Sequence, residues 1–432
     1  MKYYSTSGSL QPYTLSEAVL NGLPDDSGLF MPEKIPVLPP EFFSNLHNLS
    51  FSETAFEIAY SFLKEDVSEE VIHTIIKNAV NFPAPVVTLD EQTKILELFH
   101  GPTLAFKDFG ARFMGQLMAH LVRNHNQRLT ILVATSGDTG GAVANGFYRT
   151  EGIEVIILYP SGKVSPLQEK QLTTLGENIT ALEIQGTFDD CQKLVKTAFH
   201  DIDLLAKYHL SSANSINISR LIPQSFYYVE AYKQVQDKNL PVVFSIPSGN
   251  FGNLTAGILA KKMGLPVSRF IASVNANDVF TNYLNSGEYL PRTSVQTLSN
   301  AMDVGAPSNF ARLLSIYINN ITEMRKDIIS YSFNDEETTM AMKEVYSKFK
   351  YIMDPHGAVA YLGWKKYQET NKECLGIILE TAHPSKFIET VEEVLQIELQ
   401  IPVELSSLSE KKKSATLLPT EYNSFKEFLL NR

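Results

Sequence analysis

Lys107 stands where an apolar stretch, Ile95 to Phe99, gives way through the turn residues His100-Gly101-Pro102-Thr103 to a segment in which Phe109, Phe113, Leu117 and Leu121 recur at helical spacing. A lysine at a helix N-terminus meets the partial positive charge of the backbone, and the flanking Phe106 and Phe109 would strip it of water. Both effects lower the proton affinity of its amine. A neutral amine is what Schiff-base chemistry requires. A solvated lysine at a helix start has the same local sequence, so the reading depends on what else the chain carries.

Two glycine loops supply the rest. Pro247-Ser-Gly249-Asn250-Phe251-Gly252-Asn253 lies between an apolar strand and a helical segment. Glycines there permit close backbone approach, and the helix start offers unpaired N–H groups, a combination that cradles a phosphate. No Gly-Lys-Ser/Thr follows and the spacing is not Gly-x-Gly-x-x-Gly, which disfavours a nucleoside triphosphate or a dinucleotide. Thr135-Ser136-Gly137-Asp138-Thr139-Gly-Gly141 occupies the equivalent place in an earlier unit. Its hydroxyls, backbone N–H groups and carboxylate suit a second anion, a substrate carboxylate or phosphate. Helix capping by Ser136, Asp138 or Thr139 is compatible with that use.

The elements that must position these residues alternate. Leu129 to Ala134 is a strand, Gly140 to Tyr148 a helix and Glu154 to Tyr159 a strand; Pro241 to Ile246, Leu254 to Lys262 and Arg269 to Val274 repeat the order. Such alternation predicts βαβ units, hence an α/β fold with two mostly parallel sheets and a ligand crevice at the carboxyl ends of their strands. Helical patterns over Ser52 to Leu63 and Ser68 to Val80 precede them. The expected division is an N-terminal helical portion over 1–90, a smaller α/β domain over 91–235 with Lys107 and the Thr135–Gly141 loop, and a larger one over 236–432 with the Gly249–Asn253 loop.

At 432 residues, with 44% hydrophobic and 20% charged, the chain can bury a core of that size. A net charge of -11 argues against a general binder of nucleic acid or anionic membrane. An anionic substrate must therefore meet local donors, and the run Lys411-Lys412-Lys413 is a surface patch. Two cysteines far apart, Cys191 and Cys374, exclude a disulfide framework. The N-terminus lacks the apolar stretch of a secretory signal, and no segment approaches the ~20 apolar residues of a membrane span, so a cytoplasmic location is expected.

Together, Lys107 in Leu-Ala-Phe-Lys-Asp-Phe, the Ser-Gly-Asp-Thr-Gly loop and the Gly-Asn-Phe-Gly-Asn loop resemble the threonine synthases of the longer bacterial and fungal type. The likeness runs almost end to end, through Gly28-Leu-Phe-Met-Pro32, Asn214-Ser-Ile-Asn-Ile-Ser-Arg220, Asn300-Ala-Met-Asp-Val-Gly305, Asp354-Pro-His-Gly357 and Thr381-Ala-His-Pro-Ser-Lys-Phe387. The resemblance implies a fold-type II pyridoxal 5'-phosphate enzyme, like tryptophan synthase β, that converts O-phospho-L-homoserine and water to L-threonine and phosphate. It implies that Lys107 holds the cofactor as a Schiff base and then serves as acid and base. Gly249, Asn250, Phe251, Gly252 and Asn253 would receive the cofactor phosphate, Thr381 would face the pyridine nitrogen, and Asp138 would lie by the cofactor. Ser136, Gly137 and Thr139 would meet the substrate carboxylate. The family type suggests a monomer.

The substrate phosphate needs partners of its own, since an unpaired dianion is costly to bury. Arg220 is the candidate, with Asn217 assisting and Arg112 as the alternative. His100, His356 and His383 sit in turns and are read as hydrogen-bond braces; no histidine pair has metal-binding helical spacing, and no metal is expected. The rival reading is a pyridoxal-dependent phospho-lyase or dehydratase that releases a 2-oxo acid, ammonia and phosphate. A catalytically silent relative would be favoured by loss of the lysine or of the glycine loop, and both are present.

Overall fold

The computed structural model describes residues 1–8, 11–125, 128–236, 240–408 and 410–432. Its larger sheet has six strands in the spatial order Ile328–Ser332, Arg269–Val274, Val242–Pro247, Leu375–Glu380, Thr93–Glu97 and Val86–Thr88. Every neighbouring pair is parallel except the last. The smaller sheet has five parallel strands in the order Thr416–Leu418, Ile179–Ile184, Ile153–Pro160, Leu129–Ala134 and Leu210–Ser212. Tyr3–Ser5 pairs antiparallel with Phe30–Pro32.

The central strands are buried along their whole length, as the continuous apolar runs of Leu129–Ala134, Val242–Pro247 and Leu375–Glu380 require when helices cover both faces of a parallel sheet. Before the sheets come the helices Phe51–Leu63 and Glu69–Ala79. Ser50 starts the first with a capping box to Glu53, satisfying two N–H groups that would otherwise be orphaned. Its apolar face, Ala55, Ile58, Ala59 and Phe62, joins the main core. The helix Lys107–His125 buries Phe109, Phe113 and Leu117 completely and Leu121 nearly so.

Sheet membership departs from the division expected at residues 91 and 236. Thr93–Glu97, the strand leading to Lys107, pairs in the larger sheet beside Leu375–Glu380. At the other end, Thr416–Leu418 returns to the edge of the smaller sheet, and the terminal helix Tyr422–Leu430 packs with it through Phe425 and Leu429. A strand's periodicity reports its burial and not its partner, so sequence order misassigned both. The consequence is functional: Lys107 is anchored to the larger sheet and reaches across to the smaller one. No helix among the described residues is long and apolar enough to cross a membrane.

Candidate active site

Four loops leave the carboxyl ends of parallel strands and converge, the position at which open α/β sheets bind ligands. The first, 98–106, carries Lys107 at the start of its helix. It is laced to the segment after Leu375–Glu380 by Leu98 N–H to Glu380 O (3.0 Å), Phe106 N–H to Thr381 O (2.8 Å) and His383 N–H to Leu104 O (3.0 Å). An antiparallel bridge between Ala105 and Ala382 completes the lacing. Lys107 and Thr381 are thereby held in register, although the sequence separates them widely.

The Lys107 ammonium nitrogen lies 3.8 Å from Asp138 Oδ2, while the Asp138 Oδ1 atom takes Lys386 Nζ at 2.7 Å and Gln168 Nε2 at 2.8 Å. Lys386 is fully buried and donates a second bond to Thr103 O at 2.8 Å. One carboxylate thus stands between two amines, and the closer amine is not Lys107. Burial depresses the proton affinity of Lys107; Asp138 opposes that effect, and the charges of Lys386 and Arg220 reinforce it. Burial also works to raise the Asp138 carboxyl, but Lys386 and Lys107 hold it well below the usual carboxylate range. The arrangement keeps Asp138 ionised and favours the neutral, nucleophilic form of Lys107. The Phe106 ring centre is 5.8 Å from Lys107 Nζ, whereas Phe109 packs into the core against Phe82 and Tyr227. Of the two flanking aromatics expected to dry the amine, then, Phe109 serves the core.

The Thr135–Gly141 loop is organised by the Thr135 hydroxyl, which accepts N–H bonds from Gly137 (3.0 Å) and Gly140 (2.9 Å). Gly137 has φ +143°, and a Cβ there would lie 2.8 Å from the Gln168 amide, so only glycine fits. The residue before the helix Asp138–Gly146, Gly137, has no side chain to cap it, and the Thr135 hydroxyl takes the third N–H of the helix instead. Capping by Ser136, Asp138 or Thr139 is therefore not how the loop is used; Ser136 is exposed and Thr139 half-buried.

The Gly249–Asn253 loop is bare by comparison. Phe251 adopts the left-handed conformation at φ 60°, caps the helix Gly252–Lys262 with no side-chain bond, and packs its ring 4.5 Å from that of Phe280. Its ring belongs to the core, so only the backbone can face a ligand. Gly249 lies against the turn Asn300–Met302, where a Cβ would approach Met302 Cα to 2.7 Å. The Asn250 side chain bridges Ser215 Oγ (2.6 Å) and Ser308 N–H (2.5 Å), and Asn253 Oδ1 accepts from the Tyr227 and Tyr228 hydroxyls, both at 2.7 Å. Asn253 Nδ2 is buried with no partner.

Arg220 lies close enough for its charge to act on Lys107. It is 3% exposed, donates from Nη1 to Ala213 O at 2.8 Å, and its buried Nε has no partner. Burial, opposed by Asp108, pulls its proton affinity down to about 10, so it remains a cation at neutral pH. Asn217 does not join it. Its amide nitrogen gives both protons, to Val19 O (2.9 Å) and Ser212 O (3.2 Å), and its oxygen accepts from Ser219 N–H and Oγ, which exhausts the group. Arg112 is likewise a brace: it bonds Asn78 O and Asn81 Oδ1 beside the N-terminal helices. The histidines have their own partners: His100 pairs with Glu97 (2.8 Å), His356 Nε2 accepts from Ala301 N–H (3.2 Å), and His383 Nδ1 meets Ser385 Oγ (2.7 Å).

Models of known families match the chain along its length. The model described as a pyridoxal-phosphate dependent enzyme covers residues 83–375, that of the threonine synthase N terminus covers 2–80, and that of the threonine synthase C-terminal part covers 357–429. The threonine synthase of Haemophilus influenzae is 46% identical, with 100% of both chains covered. The chain belongs to the threonine synthase family. The crystal structure of threonine synthase from Escherichia coli superposes with a TM-score of 0.93 at 41% identity, covering 100% of each chain. The pyridoxal-phosphate-bound threonine synthase of Brucella melitensis gives 0.93 at 34%, covering 100% of this chain and 99% of its own.

Membership of the threonine synthase family makes the protein a pyridoxal-phosphate-dependent lyase of fold type II. The residues present fit that cofactor. A lysine of depressed proton affinity suits its aldehyde, and an uncapped helix start beside Gly249 and Gly252 suits its phosphate. Thr381, 7% exposed at the end of Leu375–Glu380, suits a neutral ring nitrogen. Sequence reasoning missed Lys386, Gln168 and Thr135. Thr135 and Lys386 lie within the motifs and Gln168 lies outside them, and only burial and long-range pairing distinguish the three; Lys386 meets Thr103 across 283 residues.

Proposed function

We propose that this threonine synthase family member acts on O-phospho-L-homoserine and water, yielding L-threonine and phosphate, with pyridoxal 5'-phosphate carried on Lys107. The observation that carries the residue assignment is the Lys107–Asp138–Lys386 cluster at the mouth of both sheets. When bound, the cofactor supplies an electron sink for the charge left on carbon as a proton departs.

The chain's own residues do the rest. Gly249 to Asn253 receive the cofactor phosphate through backbone N–H groups, and Thr381 offers the ring nitrogen a neutral partner that leaves it unprotonated. Lys107 Nζ attaches the cofactor and, once displaced by the substrate amine, takes and returns protons at Cα and Cβ; its tether keeps it within reach of both. Phosphate leaves from Cγ and water adds at Cβ. Asp138 stays anionic beside Lys107, and Gln168 and Lys386 hold it still. Ser136 and Thr139 bind the substrate carboxylate at the start of the helix Asp138–Gly146, and Gly137, its N–H spent on Thr135, allows the close approach. Arg220, with its unpaired Nε, meets the substrate phosphate.

Incubation of the cofactor-saturated protein with O-phospho-L-homoserine, with threonine, phosphate and 2-oxobutanoate measured together, tests the activity. Threonine equal to phosphate supports it; phosphate with 2-oxobutanoate would make the protein a lyase of the rival kind. An Arg220→Gln enzyme with unchanged KM would remove that residue from the phosphate role. We further infer a cytoplasmic monomer, which light scattering on the purified chain and fractionation of its host test directly.

A further inference from the structure

Arg312, in the helix Phe310–Ile316, has none of its surface exposed. It makes five hydrogen bonds, and all go to neutral oxygens. Nε and Nη2 bond Phe30 O (3.3 and 3.1 Å), Nη1 bonds Ser215 O (3.1 Å) and Asn309 Oδ1 (2.8 Å), and Nη2 bonds Ile216 O (2.5 Å). No carboxylate among the described residues is an ion-pair partner for it, and burial alone shifts its proton affinity, to about 9, so the group stays charged at neutral pH. Two other buried cations are different: Lys386 has Asp138, and Arg220 feels Asp108. A buried cation without a counter-ion is costly unless an anion is brought to it.

The geometry shows where such an anion would come. Arg312 fixes the Asn309 amide by its oxygen, leaving the nitrogen with one long bond, 3.5 Å, to Ser215 O. That nitrogen packs beside the phosphate loop: a Cβ placed on Gly252 would lie 3.5 Å from it, and the Asn309 side chain is fully buried there. Gly252 opens the helix Gly252–Lys262, whose first N–H groups have no side-chain cap. An anion on those N–H groups would meet the Asn309 amide, with the guanidinium directly behind it.

We propose that Asn309 is a direct donor to the cofactor phosphate and that Arg312, positioning Asn309, supplies the countercharge that the Gly249–Asn253 loop itself lacks. This rests on the reading that the loop holds the cofactor phosphate. In the absence of cofactor, the junction of Phe30, Ser215, Ile216 and Asn309 contains an unbalanced charge, so cofactor binding and the stability of this junction are linked.

The test compares pyridoxal 5'-phosphate with phosphate-free pyridoxal on the full-length chain freed of cofactor, reading Kd by absorbance and the thermal midpoint by scanning. Asn309→Asp gives Arg312 a carboxylate partner, which preserves the junction, but turns a negative group toward the phosphate. The expected result is a raised midpoint without cofactor, a Kd for pyridoxal phosphate at least about tenfold weaker, corresponding to about 1.4 kcal/mol, and a Kd for pyridoxal within about twofold of the wild type. Arg312→Lys, which keeps the charge, should retain more of the preference for the phosphorylated form than Arg312→Met. An Asn309→Asp chain with the wild-type ratio of the two Kd values, or with a lowered midpoint, would overturn the proposal. A wild-type chain that binds both compounds equally would instead sink the assignment of the loop, whatever the variants do.

Discussion

Both glycine loops follow a parallel strand and open a helix whose N-cap residue makes no side-chain cap, yet they are finished differently. The Thr135–Gly141 loop is dense with side-chain chemistry: Thr135 ties its backbone, and Asp138 is held by Gln168 and Lys386 beside Lys107. The Gly249–Asn253 loop offers backbone N–H groups while its side chains point into structural work, Phe251 to Phe280 and Asn250 to Ser215 and Ser308. The difference fits the tasks proposed for the two loops. A group of fixed charge needs only a cradle that does not move, whereas a group that gains and loses protons needs neighbours that set its charge.

The comparison breaks most completely at Lys107. Lys107→Ala should lower kcat by more than about 10³-fold, within the range lost when a general acid–base group is removed. The fold should be unaffected, since the residue lies at a helix start with its amine toward the crevice. Turnover above about a tenth of wild type would show that another base carries the proton transfers. The next largest effect is expected at the bare loop. Gly249→Ala places a Cβ 2.7 Å from Met302 Cα, a backbone contact that cannot be relieved by a side-chain rotation. The cost should be about 1–3 kcal/mol of stability and a loosened hold on pyridoxal phosphate. Calorimetry and a cofactor titration read both; unchanged affinity would mean that the loop's backbone position is unimportant for the phosphate.

The wired loop is sharpened by Lys386→Gln, which keeps a donor to Asp138 but removes a charge. Asp138 is then free to serve as counter-ion to Lys107, and the repulsion from Lys386 is gone, so the amine should hold its proton more tightly. The acidic limb of the pH profile for capture of pyridoxal phosphate by the cofactor-free chain should move to higher pH by about one unit, with Lys386→Arg restoring it. A limb that stays in place would make Lys386 a structural pin.

How legible these features are depends on their range. Lys107, the two glycine loops and the strands Leu129–Ala134 and Arg269–Val274 are local patterns, and the structure has those strands at the residues the sequence predicts. Helix starts were displaced by a turn or less, to Asp138 and Gly252, because glycine-rich first turns carry little periodicity. What pairs at a distance was not legible. Thr93–Glu97 joins a sheet whose other parallel strands begin at residue 242, Asn217 spends its amide on Val19 O, and Arg312 is an ordinary surface-type residue until its burial is seen. Residue type and spacing name a reactive group; they do not say which charges the fold will bring to it.

The smallest predicted effect compares two carboxyls, one in the wired loop and one under the strand end that carries Thr381. Asp138 is held ionised by two amines, so its contribution to stability is present above the ordinary aspartate range and is lost as the pH falls through its depressed folded value. Glu380 is the reverse case. Fully buried, it is pushed well above the glutamate range by burial and then by the charge of Asp354, against the pull of the Asp354 N–H at 2.7 Å. The folded chain keeps the Glu380 proton while the unfolded chain releases it, so the wild type should lose stability as the pH rises past about 4.3. Glu380→Gln stays neutral in both states. It should therefore be about as stable as wild type near pH 4 and more stable by about 1–2 kcal/mol at pH 7, as denaturant midpoints at the two pH values would show. If Glu380→Gln were less stable at both, the hydroxyl proton of Glu380 would have a required acceptor, and the neutral carboxyl beneath Thr381 would be a working hydrogen-bond donor.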